Sequence, residues 1–182
     1  MKDPERKKTS KFLSYVLRHH PEVIGLQLDA NGWANTEELL LKANQHHHAV
    51  TFEELTLIVE NNDKKRFLFS DSNKRIRANQ GHSVQVDLQL TPGIPPDELY
   101  HGTALQNLDS IQKQGLIKGS RHQVHLSADK ETAKMVSMRY GKPVVLLIHA
   151  KQMHADGQAF YLSENGVWLT DSVSPYYIKF PS

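Results

Sequence analysis

One stretch, Thr91-Pro-Gly-Ile-Pro-Pro96, concentrates proline and glycine as nowhere else in the 182 residues. Proline fixes φ and lacks a backbone donor, so a regular helix or central strand cannot run through such a segment. What folds before it must be largely separate from what folds after it. The sequence therefore divides into a lobe at 1–90, a linker at 91–96 and a second lobe at 97–182. A prior of about 150 residues per domain allows one or two domains for this length.

The two sides are patterned differently. On the first, Phe12, Leu13, Val16 and Leu17 recur at helical spacing from Thr9 to Arg18, and Pro21 predicts that the helix ends near Arg18-His19. Gly25-Leu-Gln-Leu-Asp29 alternates as a short strand before the turn Ala30-Asn31-Gly32. Asn35 with Glu38, and Thr51 with Glu54, place N-caps before two further helices. Two short strands, Arg66–Phe69 and Arg75–Ala78, flank the polar turn beginning at Ser70. Helix, strand, helix, helix, hairpin is the order of a winged helix, a scaffold that binds nucleic acid in some proteins and other partners elsewhere.

On the second side, strands are expected at Glu98–His101, Val124–Ser127, Val144–Ala150, Phe160–Leu162, Val167–Leu169 and Tyr176–Phe180. Helices are expected through Leu105, Leu108 and Ile111, stopped by Gly115, and over Asp129–Tyr140, stopped by Gly141. Asn165-Gly166 is a hairpin signal. Several strands with two helices predict an α+β fold. No repeat, GxGxxG or Walker phosphate loop is present.

Composition narrows the chemistry. The chain has no Cys, which removes disulfides, iron–sulfur clusters, thiolate-bound zinc and a thiol nucleophile. The N-terminal Met-Lys-Asp-Pro-Glu-Arg carries charge where a secretory signal would be apolar, and the longest apolar run, Val144–Ile148, cannot span a bilayer. A cytoplasmic monomer is expected, with no membrane association. Net charge is +2, and each lobe is close to neutral, so charge does not single out a polyanion-binding half. Only seven residues are Arg, which gives weight to where each one stands. His46-His47-His48 invites a metal, but three consecutive His do not readily converge on one ion, and a surface loop is the expectation. Arg18-His19 would read by itself as cations at a helix C-terminus, Arg66 as a solvated hairpin residue and Arg121 as a charge guarding a strand edge. Arg75 and Arg77 on the expected wing fit either RNA backbone or a solvated edge.

Three segments beyond the linker could carry chemistry. Tyr100-His101-Gly102-Thr103 puts a His at a strand end, followed by a glycine that permits close approach of a ligand. Arg121, Gln123 and His125 alternate onto one face of an extended segment, with Ser127 next. Glu164-Asn165-Gly166-Val167-Trp168-Leu169-Thr170 leads a hairpin into an apolar strand. In that order the three resemble the ADP-ribosyltransferase fold, in which His and a second-strand Tyr or His hold NAD. Many members carry Glu at a third position where this chain has Val167. An acceptor that is already an anion needs no such base, but it needs cations.

The first lobe supplies them. Lys11–His19, Asp63-Lys-Lys-Arg66-Phe67 and Ile76–Ser83 resemble the RNA 2′-phosphotransferase family (KptA-type), and so do His101-Gly-Thr, Arg121-His-Gln-Val-His125-Leu-Ser127 and Asn165-Gly-Val-Trp-Leu-Thr170. The resemblance runs from about Ser10 to Tyr177. It implies a winged-helix RNA-binding lobe joined to an ADP-ribosyltransferase-like lobe. It also implies an NAD-dependent transferase that removes an internal 2′-phosphate from RNA of the kind left by tRNA splicing. The implied products are 2′-hydroxyl RNA, nicotinamide and ADP-ribose 1″,2″-cyclic phosphate, by way of an ADP-ribosylated phosphate. Carried over by position, the catalytic residues are Arg18, His19, Arg66 and Arg121, and the NAD contacts are His101, Gly102, Thr103, His125 and Ser127. No metal is implied. Gln80-Gly81-His82-Ser83 matches the family without a role derivable from the residues. Two other readings are an NAD-dependent ADP-ribosyltransferase acting on RNA or DNA terminal phosphates, and a non-enzymatic RNA-binding module.

Overall fold

The structure, a computed structural model, describes residues 2–62 and 64–181. The chain divides into two compact units, Met1–Gln89 and Leu90–Ser182. Its mixture of helices and small antiparallel sheets is compatible with α+β. Among the described residues no helix is long and apolar enough to cross a membrane.

The first unit contains α1 (Asp3–Arg18), β1 (Ala34–Asn35), α2 (Thr36–Gln45), α3 (Phe52–Glu60), β2 (Phe67–Phe69) and β3 (Arg75–Ala78). Strand β3 pairs antiparallel with β1 on one side and β2 on the other. The expected caps are present: Asn35 Oδ1 accepts the Glu38 N–H, and Thr51 with Glu54 forms a reciprocal box. Leu13, Val16 and Leu17 of α1 meet Leu39, Leu55, Ile58 and Ile76 in a core from which water is excluded. Helix α1 starts six residues before the expected Thr9, with Pro4 and the acids Asp3 and Glu5 in its first turn.

The strand expected at Gly25–Asp29 does not form. A 3-10 turn at Pro21–Ile24 ends on Gly25 in the left-handed region, and the Leu26 N–H turns back to the Pro21 carbonyl. Leu26 is buried as the alternation required, but burial here comes without a partner strand. Asp29 Oδ1 then accepts the N–H groups of Asn31 and Trp33, closing the turn, and pairing begins only at Ala34.

The second unit contains β4 (Pro92–Gly93), β5 (Leu99–Ala104), α4 (Leu108–Gln114), β6 (Val124–Leu126), α5 (Lys130–Ser137), β7 (Pro143–Ile148), α6 (Ala150–Ala155), β8 (Phe160–Leu162), β9 (Trp168–Thr170) and β10 (Ile178–Lys179). Two sheets, ordered β10-β7-β5 and β4-β8-β9-β6, are joined by an antiparallel bridge between Tyr100 and Ser127. The Pro/Gly stretch expected as a linker holds strand β4, in which Pro92 and Gly93 pair with Tyr161 and Phe160. Its position at a sheet edge is where a residue without an N–H is tolerated. Helix α6 is not legible in the sequence, because its six residues are too few to show a helical period. The last strand is shorter than expected, since Pro175–Tyr177 forms a 3-10 turn before it.

Candidate active site

Six of the nine site residues expected from the sequence stand either at the end of α1 or on the strands β5 and β6. In the first unit, Arg18 is the last residue of α1 and His19 its C-cap. The final carbonyls of a helix have no partner within it. Here the Arg18 carbonyl accepts the N–H groups of Ser83 and Val84 at 2.9 and 3.3 Å. The Ser83 hydroxyl and His19 Nδ1 share a hydrogen bond of 2.9 Å. Gly81, with φ +86°, lies along the guanidinium of Arg18; a Cβ placed there would be 3.7 Å from Arg18 Nη1. The segment that the sequence left without a role therefore clasps the Arg18-His19 pair.

Arg66 is tied to the same segment. It stands one step beyond the Phe67–Ala78 pairing, and its carbonyl accepts the Asn79 N–H at 3.0 Å. The buried Asn79 side chain in turn donates to the Lys65 carbonyl. Residues 18–19, 66 and 79–83 are thus fastened together by main-chain bonds, although up to 65 positions separate them in the sequence. Asp63, part of the motif that carries Arg66, lies outside the described residues.

Arg121 belongs to the second unit, where the other expected residues gather around β5 and β6. Tyr100 and Ser127 exchange both backbone hydrogen bonds at 2.8 Å, which sets β5 beside β6. His101 Nδ1–H donates to the His125 carbonyl at 3.0 Å. A carbonyl only accepts, so Nδ1 carries the proton and Nε2 of neutral His101 is an acceptor. Arg121 Nη1 donates to His125 Nδ1 at 3.1 Å. A guanidinium only donates, so the His125 proton stands on Nε2. Burial pushes the pKa of His101 down; the His125 carbonyl opposes this, and the charge of Arg121 adds to it. Thr103 is buried, and its hydroxyl accepts from Asn107 Nδ2 at 3.2 Å.

Two expectations about this pair of strands need correction. The extended segment stops at Val124, because Arg121 lies in a turn in which its N–H reaches the Lys118 carbonyl. Arg121 meets His125 through the length of its side chain, not through strand alternation. Gly102, read as an opening for a ligand, is required by α5: a Cβ there would lie 1.9 Å from the Ala133 carbonyl oxygen. That face of β5 is filled by the helix.

Other candidates have structural employment. His46 Nδ1–H donates to the Lys42 carbonyl, and His48 stacks on Phe12 with centroids 3.8 Å apart. Among the described residues no His, Asp and Glu group of three is arranged to hold a metal. The guanidiniums of Arg75 and Arg77 lie 5.2 and 4.6 Å from the ring centre of Trp33, a packing that the sequence did not reveal.

A model of the family described as "RNA 2′-phosphotransferase, Tpt1 / KptA family" matches residues 4–172. A protein of Hahella chejuensis named "Probable RNA 2′-phosphotransferase" is 55% identical over 177 residues, 97% of this chain and 95% of its own length. Proteins of the same name from Agrobacterium fabrum and Nostoc punctiforme are 56% and 51% identical, covering 93% and 98% of this chain and 91% and 99% of theirs. With both the family model and these relatives spanning nearly every residue discussed above, the chain belongs to the RNA 2′-phosphotransferase family.

Proposed function

We propose that this protein is an NAD-dependent RNA 2′-phosphotransferase acting on an internal 2′-phosphate of the tRNA type. The first unit acts as a winged-helix RNA-binding lobe and the second as an ADP-ribosyltransferase-like lobe. The observation that carries the reading is the clasp in the first unit. An Arg-His pair at a helix end is fastened by main-chain bonds to a segment that also fixes Arg66. Phosphoryl transfer depends mostly on positioned charge, and a guanidinium fork held in place can meet two phosphate oxygens at once. Arg18 and Arg66 bind the RNA phosphate, and Arg121 is the catalytic arginine of the second unit. His19 bonds to the phosphate or moves the proton of the attacking hydroxyl.

The second unit fits NAD by the chemistry of its donors and acceptors. His101 Nε2 accepts and His125 Nε2–H donates, a complementary pair for ribose hydroxyls, and both tautomers are fixed by partners of a single polarity. Thr103 and Ser127 flank them, and Gly102 contributes only backbone groups, since helix α5 fills its other face. NAD, consumed as a second substrate, supplies an activated glycosidic carbon to which the RNA 2′-phosphate is joined as nicotinamide leaves. A ribose hydroxyl of the resulting ADP-ribosylated phosphate then displaces the RNA 2′-oxygen. The products are 2′-hydroxyl RNA and ADP-ribose 1″,2″-cyclic phosphate.

Incubation of the protein with 2′-phosphorylated RNA and NAD tests this directly. Equal yields of nicotinamide, 2′-hydroxyl RNA and the cyclic phosphate are expected. A stable ADP-ribosyl adduct on a terminal phosphate would move the protein to the other transferase reading, and unchanged RNA would remove both.

A further inference from the structure

The His19–Ser83 contact differs in kind from the other histidine contacts near the two clusters. His101 is held by a carbonyl and His125 by a guanidinium, each of which tolerates a single state of the nitrogen it faces. Ser83 offers a hydroxyl, which accepts from Nδ1–H and donates to a bare Nδ1 equally well. The hydroxyl itself is placed by main chain: the Ser83 N–H is bonded to the Arg18 carbonyl at 2.9 Å, and that of Val84 to the same oxygen at 3.3 Å. Gly81, two residues earlier, takes a left-handed φ of +86° that lets the chain turn across Arg18 before delivering Ser83.

We propose that Ser83 is the positioning residue for His19, holding its imidazole in one orientation through every protonation state that turnover requires. With Nδ1 pinned to a backbone-anchored hydroxyl, Nε2 is directed to the opposite edge of the ring. A proton can then arrive at or leave Nε2 while the ring stays still, because the hydroxyl keeps its bond whether Nδ1 donates or accepts. A second carbonyl at this place would forbid the Nε2–H tautomer, and a carboxylate would favour the charged ring. Ser83 does not touch substrate; it acts through His19. This assignment rests on the reading of His19 as part of the RNA 2′-phosphotransferase site.

Two variants separate positioning from scaffolding. Ser83→Ala keeps both main-chain bonds to the Arg18 carbonyl, so its thermal midpoint should stay within about two degrees of the parent. Its kcat with 2′-phosphorylated RNA and NAD should fall roughly three- to tenfold, the range expected for one hydrogen bond, with KM for RNA within twofold. Ser83→Thr, which restores the hydroxyl, should recover most of the loss. Long-range proton–nitrogen spectra of the imidazoles, with the His19 signals assigned by their disappearance in His19→Asn, supply a readout independent of turnover. Both ring nitrogens of His19 should shift in Ser83→Ala and return in Ser83→Thr. An unchanged kcat in Ser83→Ala, or a rise in RNA KM without a fall in kcat, overturns the proposal. If the parent protein makes no product, the proposed activity fails, and the spectra still decide this contact: unmoved His19 nitrogens in Ser83→Ala would remove it.

Discussion

His101 and His19 are the same residue held in opposite ways. His101 stands on a strand, part-buried, with Nδ1 committed to a carbonyl that can never donate. His19 stands just past a helix end, with Nδ1 facing a hydroxyl that can do either. A histidine that must present a constant acceptor to a ligand gains from the first arrangement, and one that must change its proton gains from the second. The difference also lies in what builds the two places. Strand register fixes His101 and Ser127, whereas the Arg18-His19 pair depends on a loop that captures a spent helix carbonyl.

The sharpest way to break this comparison is to change the side chain of Arg18 and leave its backbone alone. The carbonyl that anchors Ser83 and Val84 belongs to the main chain, so Arg18→Lys should preserve the clasp and the thermal midpoint. It loses the two-pronged guanidinium, and lysine offers a point charge in its place. Single-turnover phosphate removal should fall by two to three decades, about 3–4 kcal/mol of transition-state stabilisation. A rate within threefold of the parent would mean that charge alone suffices, and that the ordered fork is not what the clasp serves.

The next largest effect concerns the strand side. Gly102→Ala places a Cβ 1.9 Å from the Ala133 carbonyl oxygen and 3.0 Å from Ser137 Cβ. Helix α5 must move off β5, or the strand must bend and disturb the bridge between Tyr100 and Ser127. Forcing extra volume into packed structure costs about 3 kcal/mol at the upper end of the usual range. Denaturant unfolding followed through the second unit's Trp168 should show that loss. An unaltered midpoint would mean that the packing of α5 on β5 does not require Gly102.

What could be read from the sequence followed the range of the interaction. Asn35-Glu38 and Thr51-Glu54 announce helices because a cap bonds three residues away, and these came out where expected. Gly25–Asp29 failed because alternation reports burial of Leu26 and Leu28, and burial does not require a partner strand. Arg18, His19 and Arg66 were legible only as a family pattern, since nothing local in Leu17-Arg18-His19 distinguishes them from an ordinary helix end. The role of Ser83 was not legible at all: its bond to His19 spans 64 positions, and no periodicity encodes a contact of that length. Gly102 misled for a related reason, because the sequence shows that a side chain is absent but not which side of the strand needs the space.

The smallest expected effect tests whether His101 is held in one protonation state as the carbonyl bond implies. Its pKa in the folded protein is below the ordinary 6.5, first through burial and then through the nearby Arg121 charge, against the pull of the His125 carbonyl. The unfolded chain therefore binds this proton more readily than the folded one. Stability from neutral His101 is complete above pH 6.5 and is lost as pH falls from there toward the lowered folded value. His101→Asn puts an amide N–H where Nδ1–H was, keeps the donor for the His125 carbonyl, and cannot titrate. Comparing unfolding free energies of the two proteins between pH 7 and pH 5 cancels the carboxylates common to both. The parent should lose stability faster on acidification, by no more than about 1.4 kcal/mol per pH unit for one proton. Equal slopes would mean that His101 accepts its second proton in the folded state without cost, and the contrast with His19 would then lie only in where the two rings stand.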